Sequence, residues 1–384
     1  MSGLTDHHGE RLPVGVLTGF LGSGKTTLLR QWLQDSPAGE TAVLINEFGA
    51  VGLDHLLVGR IDADTVLLDN GCVCCAIRGE LKDALWRLHQ RRLRGELPPF
   101  QRVLVETTGL AAPGPVIATL IGDAQLRQIF RPAFISTVVD ALHAPWQQSR
   151  RPEWLAQVAA ADRLYLSKTD LATPQQAEAQ RAQLAQINPL ASIVTCGPGA
   201  AVPPAWQMQE SHALETDWLA RAIAGTPRGR AGQGQGQRQG QGQGLHAGAQ
   251  AFCLELDSPV DWCVLTLWLT MLLHRHGDRL LRLKGLVAVA ADGWPQGQPT
   301  ALHGMGHLMH APEHLPEWPG EDRRSRLVFI TAGLDEQQVR ASWQSFQSFY
   351  RLHSQDNGSQ TPASPSPHTC LLYTSDAADD SLRV

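Results

Sequence analysis

The sequence predicts an α/β protein: a mostly parallel sheet with helices on both faces, followed by a smaller α/β unit. Three observations carry this expectation. Residues 13–200 alternate short β-branched runs with helical patterns, the mark of repeated strand–helix–strand units. Glycine-rich segments fall directly behind the apolar runs, at the strand ends where such sheets bind ligands. A Gly/Gln tract at 228–244 then interrupts the chain, and alternation resumes from residue 251.

In chain order, "VGVLTGF", "TAVLINEF", "TVLLDNG", "RVLVETTG", "FISTVVDA", "RLYLSK" and "SIVTCG" read as strands. The segments around 25–35, 79–95, 113–121, 152–160 and 174–187 read as helices. The tract "RGRAGQGQGQRQGQGQG" cannot bury apolar surface to offset its ordering entropy, so it reads as a flexible linker. Beyond it, "AFCLELDSPVDWCVLTLWLTMLLHRHGDRLLRLKGLVAVA" reads as strand, helix, strand. Asp257 or Ser258 is expected to cap that helix, with Pro259 in its first turn and Gly277 at its end. "RLVFITAGLD" and "EQQVRASWQSFQSF" add a strand and a helix. The expected organisation is a disordered N-terminus at 1–11, a first domain at 12–200, a linker at 201–250, a second domain at 251–352 and a disordered tail at 353–384. The last stretch, "TCLLYTSDAADDSLRV" (369–384), fits neither domain and resembles a translated sequencing adapter, so Cys370 is given no role.

Composition narrows the function classes. With 384 residues and 43% apolar content, the chain can form sizeable cores. A net charge of −5 without a basic block argues against nucleic acid as a partner. The polar start "MSGLTDHHGERLP" is unlike a signal peptide, and "VLTLWLTMLL" is too short to span a bilayer. The expectation is a cytoplasmic protein with no membrane partner. In that compartment clustered thiols point to metal or redox chemistry, not to structural disulfides.

The first motif is "GFLGSGKTT", a strand-to-helix loop fitting G-x-x-x-x-G-K-[ST]. Gly19, Gly22, Ser23, Gly24, Lys25, Thr26 and Thr27 form the expected nucleotide-binding run. The glycines let backbone N–H groups turn inward around phosphate, and the helix N-terminus adds its positive end. Lys25 would reach the β- and γ-phosphates, and the Thr26 hydroxyl would bind Mg²⁺.

"SKTD" follows the strand "RLYL". The Asp170 carboxylate suits the N1–H and exocyclic NH₂ of guanine, and Lys168 would lie along the base plane. Ser167 stands where the usual signature has Asn. In "VLVETTGL", Glu106 ends an apolar strand and would hold Mg²⁺ through water, joining Lys25 and Thr26 as the catalytic set. The Gly109 N–H would bond the γ-phosphate and sense its loss. "NEFGAVGLD" has the same placement after its strand, so Asn46, Glu47 and Gly49 read as a switch.

"GCVCC" places Cys72, Cys74 and Cys75 within reach of one ion. Thiolates select zinc, cobalt(II) or copper(I) over magnesium. None of the other cysteines, at 196, 253, 263 and 370, supplies a second pair to close a structural zinc site. Three ligands with an open position suit transient binding and transfer, with a thiol redox site as the alternative.

The order "GFLGSGKTTLL", "NEFGAVGLD", "GCVCCAIRGEL", "ETTGLAAP", "SKTD" closely resembles the CobW-like family of metallochaperone GTPases. "RLLRLKGLVAV" and "HGMGHLMHAPEHLPEWP" with "DRRSRLVFIT" look like that family's C-terminal domain, so the likeness covers about 12–340. The resemblance implies a P-loop GTPase domain, a CxCC metal site and slow hydrolysis of GTP to GDP and phosphate. It also implies delivery of a transition metal to a client metalloprotein. Zn²⁺ is the leading metal, with Co²⁺ delivery for cobalamin synthesis as the alternative. Rivals of another class are a small-molecule kinase and a redox-sensing regulatory GTPase. His303, His307, His310 and His314 are expected on a strand running into a loop, with His303 and His307 on one side. They read as an auxiliary metal site or as polar surface for client contact.

Overall fold

The computed structural model describes residues 11–37, 39–46, 65–68, 76–197, 200, 202–207, 248–257, 259–291 and 293–356. The chain divides between Gly225 and Thr226 into two compact units.

In the first unit the strands are β1 (Leu12–Thr18), β2 (Thr41–Asn46), β3 (Thr65–Leu68), β4 (Arg102–Glu106), β5 (Phe130–Asp140), β6 (Arg163–Ser167) and β7 (Ser192–Thr195). The helices are α1 (Lys25–Gln34), α2 (Ala76–Leu93), α3 (Gly114–Gly122), α4 (Leu126–Ile129), α5 (Ala144–Arg150), α6 (Pro152–Ala160) and α7 (Pro174–Ile187). The sheet runs β3-β2-β4-β1-β5-β6-β7, and every pairing is parallel. Central strands buried on both faces need helices on both sides, and β1 reads accordingly, buried from Val14 through Thr18. Leu28, Leu29 and Trp32 of α1 join a core with Leu17, Val43, Leu104 and Tyr165. Trp32 meets Tyr165 and Trp206 edge-on at 5.2 and 5.6 Å between ring centroids.

All seven expected strands of this unit are present. β5 begins four residues earlier than "FISTVVDA" suggests, at Phe130. Pro132, among these added residues, sits beside a register shift where β1 steps from Val14 to Gly15. A bulge tolerates the missing N–H. The Phe134 ring lies over Gly15, where a Cβ would come within 2.2 Å of it. The short helices α4 and α5 carry no clear sequence period.

The second unit holds β8 (Ala249–Leu256), α8 (Trp262–His276), β9 (Leu280–Ala291), β10 (Trp294–Met305), β11 (Leu308–Met309), β12 (Glu313–His314), β13 (Ser325–Ala332) and α9 (Glu336–Asp356). Its sheet runs β11-β10-β9-β13-β8, with β12 on β10, and its strand pairs are antiparallel. The β9–β10 connection, closed by Gly293 at φ 81°, is far too short for a parallel crossover. β8 and β9 flank β13 with α8 between them in sequence, a split β-α-β unit. Trp268, Leu269 and Leu273 of α8 bury against Leu254, Leu283 and Phe329. Trp268 also meets Trp343 of α9 at a tilt, with ring centroids 4.8 Å apart, and donates its Nε1–H to Ser342 Oγ at 3.0 Å.

The helix start differs from expectation. Asp261, not Asp257 or Ser258, caps α8, its carboxylate accepting from the Val264 N–H at 3.1 Å. The chain before it stays extended because Val260 pairs with β9: its N–H donates to the Ala288 carbonyl at 2.7 Å and its carbonyl accepts from Ala290 at 3.0 Å. Among the described residues no helix is long and apolar enough to cross a membrane.

Candidate functional site

Four loops leave the C-terminal edge of the parallel sheet and converge on one place. The first joins β1 to α1. Gly19, Gly22 and Gly24 sit at φ 141°, 71° and 98°, a run that side chains disfavour. A Cβ on Gly19 would lie 2.3 Å from the Val138 carbonyl, so this turn admits only glycine. Ser23 is buried and its N–H bonds the Phe20 carbonyl at 3.1 Å. Lys25 is 9% exposed, and its Nζ donates to the Gly19 carbonyl at 2.9 Å and the Phe20 carbonyl at 3.4 Å. The ammonium therefore sits inside the ring of the loop. Thr27 faces solvent.

The second loop follows β4, the neighbour of β1. Glu106 is 5% exposed and accepts from Thr26 Oγ1 at 3.0 Å. The two residues are eighty positions apart, and the sheet order alone brings them together. Next, the Thr107 hydroxyl donates to Thr18 Oγ1 at 2.8 Å. Gly109 presses against Leu21 of the first loop, where a Cβ would lie 2.6 Å from the Leu21 backbone nitrogen.

The third loop follows β6. The Ser167 hydroxyl donates to the Ser23 carbonyl at 2.6 Å, with the Val139 carbonyl at 3.2 Å. Its departure from Asn therefore still ties this loop to the phosphate loop. Lys168, at φ 57°, is the one non-glycine residue with positive φ among those described. Its Nζ donates to Asp140 Oδ2 at 2.6 Å. Asp140 also pairs with His143 Nδ1 at 2.8 Å and accepts from the Leu142 and His143 N–H groups. Burial alone would raise this carboxyl, but the hydrogen bonds from Lys168, His143 and the backbone outweigh it and hold it below the ordinary range. Asp170 is exposed at the mouth.

The fourth loop follows β7. A Cβ on Gly197 would come within 3.8 Å of Asp170 Oδ1 and Thr169 Oγ1, so this backbone lines the same mouth. Sequence reasoning missed Gly197 and Asp140. Asp140 carried a usable signal, an acid ending an apolar run, the same signal that marked Glu106.

Not every expected site residue lies within the described residues. Cys72, Cys74, Cys75, Glu47 and Gly49 fall outside them, and Asn46 is described only as the last residue of β2. Its neighbour Ile45 pairs in register with Glu106. β3 ends at Leu68 and α2 begins at Ala76, so the elements on either side of "GCVCC" are in place. Cys196 and Cys253 are buried or half-buried, and burial pushes both thiols up to about 11, unlike reactive or ligating thiolates.

The four histidines do not gather. Gly306, at φ 59°, turns the chain after β10 and reverses it. That brings His310, not His307, opposite His303, with ring centroids 6.0 Å apart. His307 instead lies over Gly277 and pairs with Asp278 at 3.0 Å, and His314 pairs with Thr300 at 2.9 Å. Lys284 stands in register beside His303, an unfavourable neighbour for a cation. Among the described residues no group of three or more His, Cys, Asp or Glu is placed to hold a metal.

Residues 13–195 match the family described as CobW/HypB/UreG, nucleotide-binding domain, and residues 249–347 match the cobalamin synthesis protein cobW C-terminal domain. Zinc chaperone YjiA of Escherichia coli (strain K12) is 34% identical over 334 residues, covering 86% of this chain and 98% of its own. Zinc-regulated GTPase metalloprotein activator 1 of Schizosaccharomyces pombe is 34% identical over 200 residues, covering 50% of this chain and 47% of its own. The crystal structure of Zn(II)-bound YjiA GTPase from E. coli superposes with a TM-score of 0.59 at 28% identity, covering 88% of this chain and 99% of that one.

Proposed function

The chain belongs to the CobW family, and from that premise we propose a GTP-dependent metallochaperone that binds Zn²⁺ at Cys72, Cys74 and Cys75 and delivers it to a client metalloprotein. The P-loop domain is a GTPase, hydrolysing GTP to GDP and phosphate. The observation that carries the reading is the 3.0 Å hydrogen bond from Thr26 to Glu106. It places two hard oxygen donors side by side at the foot of the phosphate loop, a donor set that fits Mg²⁺ and not a soft metal. Bound there, Mg²⁺ would neutralise charge on the β- and γ-phosphates.

The chain's own residues supply the rest. Lys25 passes its hydrogen bonds from the Gly19 and Phe20 carbonyls to phosphate oxygens, so the loop is held open in both states. The N–H groups of Gly22 and Gly24 cradle the phosphates, with Ser23, whose own N–H closes the turn on the Phe20 carbonyl, and Thr27 at their edge. Gly109, already against Leu21, contacts the third phosphate. Lys168, pinned by Asp140, lines the base, and Asp170 reads its edge. Asn46, Glu47 and Gly49 form the switch between this site and the thiolates. Zinc as cargo is supported by the relatives named zinc chaperones. Residues 12–200 serve as the GTPase domain, 201–250 as a linker whose early residues, as far as Trp206, pack on that domain's core, and 251–352 as the C-terminal domain, in the cytoplasm.

The guanine reading has a direct check. In Asp170→Asn, a donor replaces the acceptor opposite the exocyclic NH₂. Hydrogen bonds to charged groups contribute about 1.5–3 kcal/mol, so GTP should weaken about 10–100-fold while xanthosine triphosphate tightens. Calorimetry with both nucleotides measures this; parallel changes in the two would rule Asp170 out as the base reader.

A further inference from the structure

The turn after β4 is held from behind by a residue outside the nucleotide motifs. Gln157, on α6, is fully buried. Its Nε2 donates to the Gly109 carbonyl at 3.2 Å and to the Ala111 carbonyl at 2.9 Å. Its own backbone carbonyl accepts from the Thr137 hydroxyl of β5 at 2.8 Å, so α6 is fastened to the sheet at the same residue that grips the turn. From the other side Thr18 Oγ1 reaches the Ala111 carbonyl at 3.5 Å, and the Ala111 N–H closes on the Thr108 carbonyl at 3.1 Å.

A buried primary amide is expensive to keep unless it is bonded, and an apolar side chain of similar volume would fill the space more cheaply. What the amide adds is direction. Both of its N–H groups go to carbonyls of one four-residue turn, and that turn lies against Leu21 of the phosphate loop. We propose that Gln157 is a positioning residue for γ-phosphate recognition: it holds the Thr108–Ala111 turn where the Gly109 N–H meets the third phosphate, and so sets the preference for GTP over GDP. This rests on the GTPase reading above. The hydrogen bonds of Gln157 go to this turn and to β5, not to the base loop or the β-phosphate cradle, so GDP affinity should be independent of it.

The test compares affinities of the full chain for Mg²⁺-GDP and a non-hydrolysable GTP analogue by calorimetry, with thermal midpoints alongside, in wild type, Gln157→Leu and Thr18→Val. Losing two buried hydrogen bonds to the turn should weaken the analogue about 10-fold in Gln157→Leu and leave GDP within about twofold. Thr18→Val should shift the ratio in the same direction by less. Equal losses for both nucleotides, or an unchanged ratio, would show that Gln157 only fills space and would overturn the proposal. Should Gln157→Leu fail to fold, Thr18→Val decides, and an unchanged ratio there overturns it too. Wild-type protein that binds neither nucleotide would instead remove the GTPase reading itself.

Discussion

Lys25→Ala is expected to abolish measurable GTP turnover and to weaken nucleotide binding at least about 100-fold, equivalent to about 3 kcal/mol or more. Lys25 is 9% exposed, and its ammonium is already held in the loop by two backbone carbonyls. Lys168 is committed to Asp140, and Arg151 meets that loop over the face of the Phe20 ring, 5.9 Å from its centroid. The variant should keep its fold, because the loop's shape is also set by its glycines and by the Ser167 bond to the Ser23 carbonyl. Phosphate release and circular dichroism together provide the check. A folded Lys25→Ala protein with near-wild-type turnover would remove the phosphate-loop assignment.

The second large effect concerns the thiols. The double variant Cys74→Ser/Cys75→Ser should weaken Zn²⁺ at least about 100-fold and leave GDP binding unchanged. Two of the three proposed soft ligands would become hydroxyls that stay protonated at neutral pH, and a hydroxyl is a poor zinc donor beside a thiolate. Anaerobic competition against a chromophoric chelator reads the change. Full Zn²⁺ affinity in the double variant would place the ion elsewhere, with the facing pair His303 and His310 the next residues to replace.

The sequence was most informative where chemistry is local. The glycine spacing of the phosphate loop, the acid ending β4 and the buried parallel strands all follow from short windows, because backbone geometry and strand burial are local demands. Contacts that join distant segments were silent. Ser167 read as a departure from Asn, and only the pairing of β5 with both β1 and β6 puts its hydroxyl against Ser23, 144 residues away. Gln157 looked like an ordinary helical residue, since nothing in its window reports the turn it holds. The histidine spacing suggested a shared side for His303 and His307, but one left-handed glycine, Gly306, reversed the chain between them. The start of β5 lies before the run "FISTVVDA", where a bulge, which has no sequence signature here, removes the need for the N–H that Pro132 lacks.

If metal loading and nucleotide state are one coupled equilibrium, the protein's Zn²⁺ affinity must depend on which nucleotide it carries. At the proposed site three thiols would have to lose their protons, and the resulting negative charges would crowd together, so the empty site would resist closing. In the proposed switch, Mg²⁺-GTP acting through Asn46, Glu47 and Gly49 would lower that cost. The decisive measurement is an anaerobic Zn²⁺ titration, with Co²⁺ in parallel, of protein saturated with Mg²⁺-GDP and with a non-hydrolysable GTP analogue. Coupling energies between sites typically reach about 1–3 kcal/mol, so affinity should be about 5–150-fold higher in the GTP-analogue state, and zinc should tighten the analogue by the same factor. Equal Zn²⁺ affinity in the two nucleotide states would contradict a GTP-driven metallochaperone.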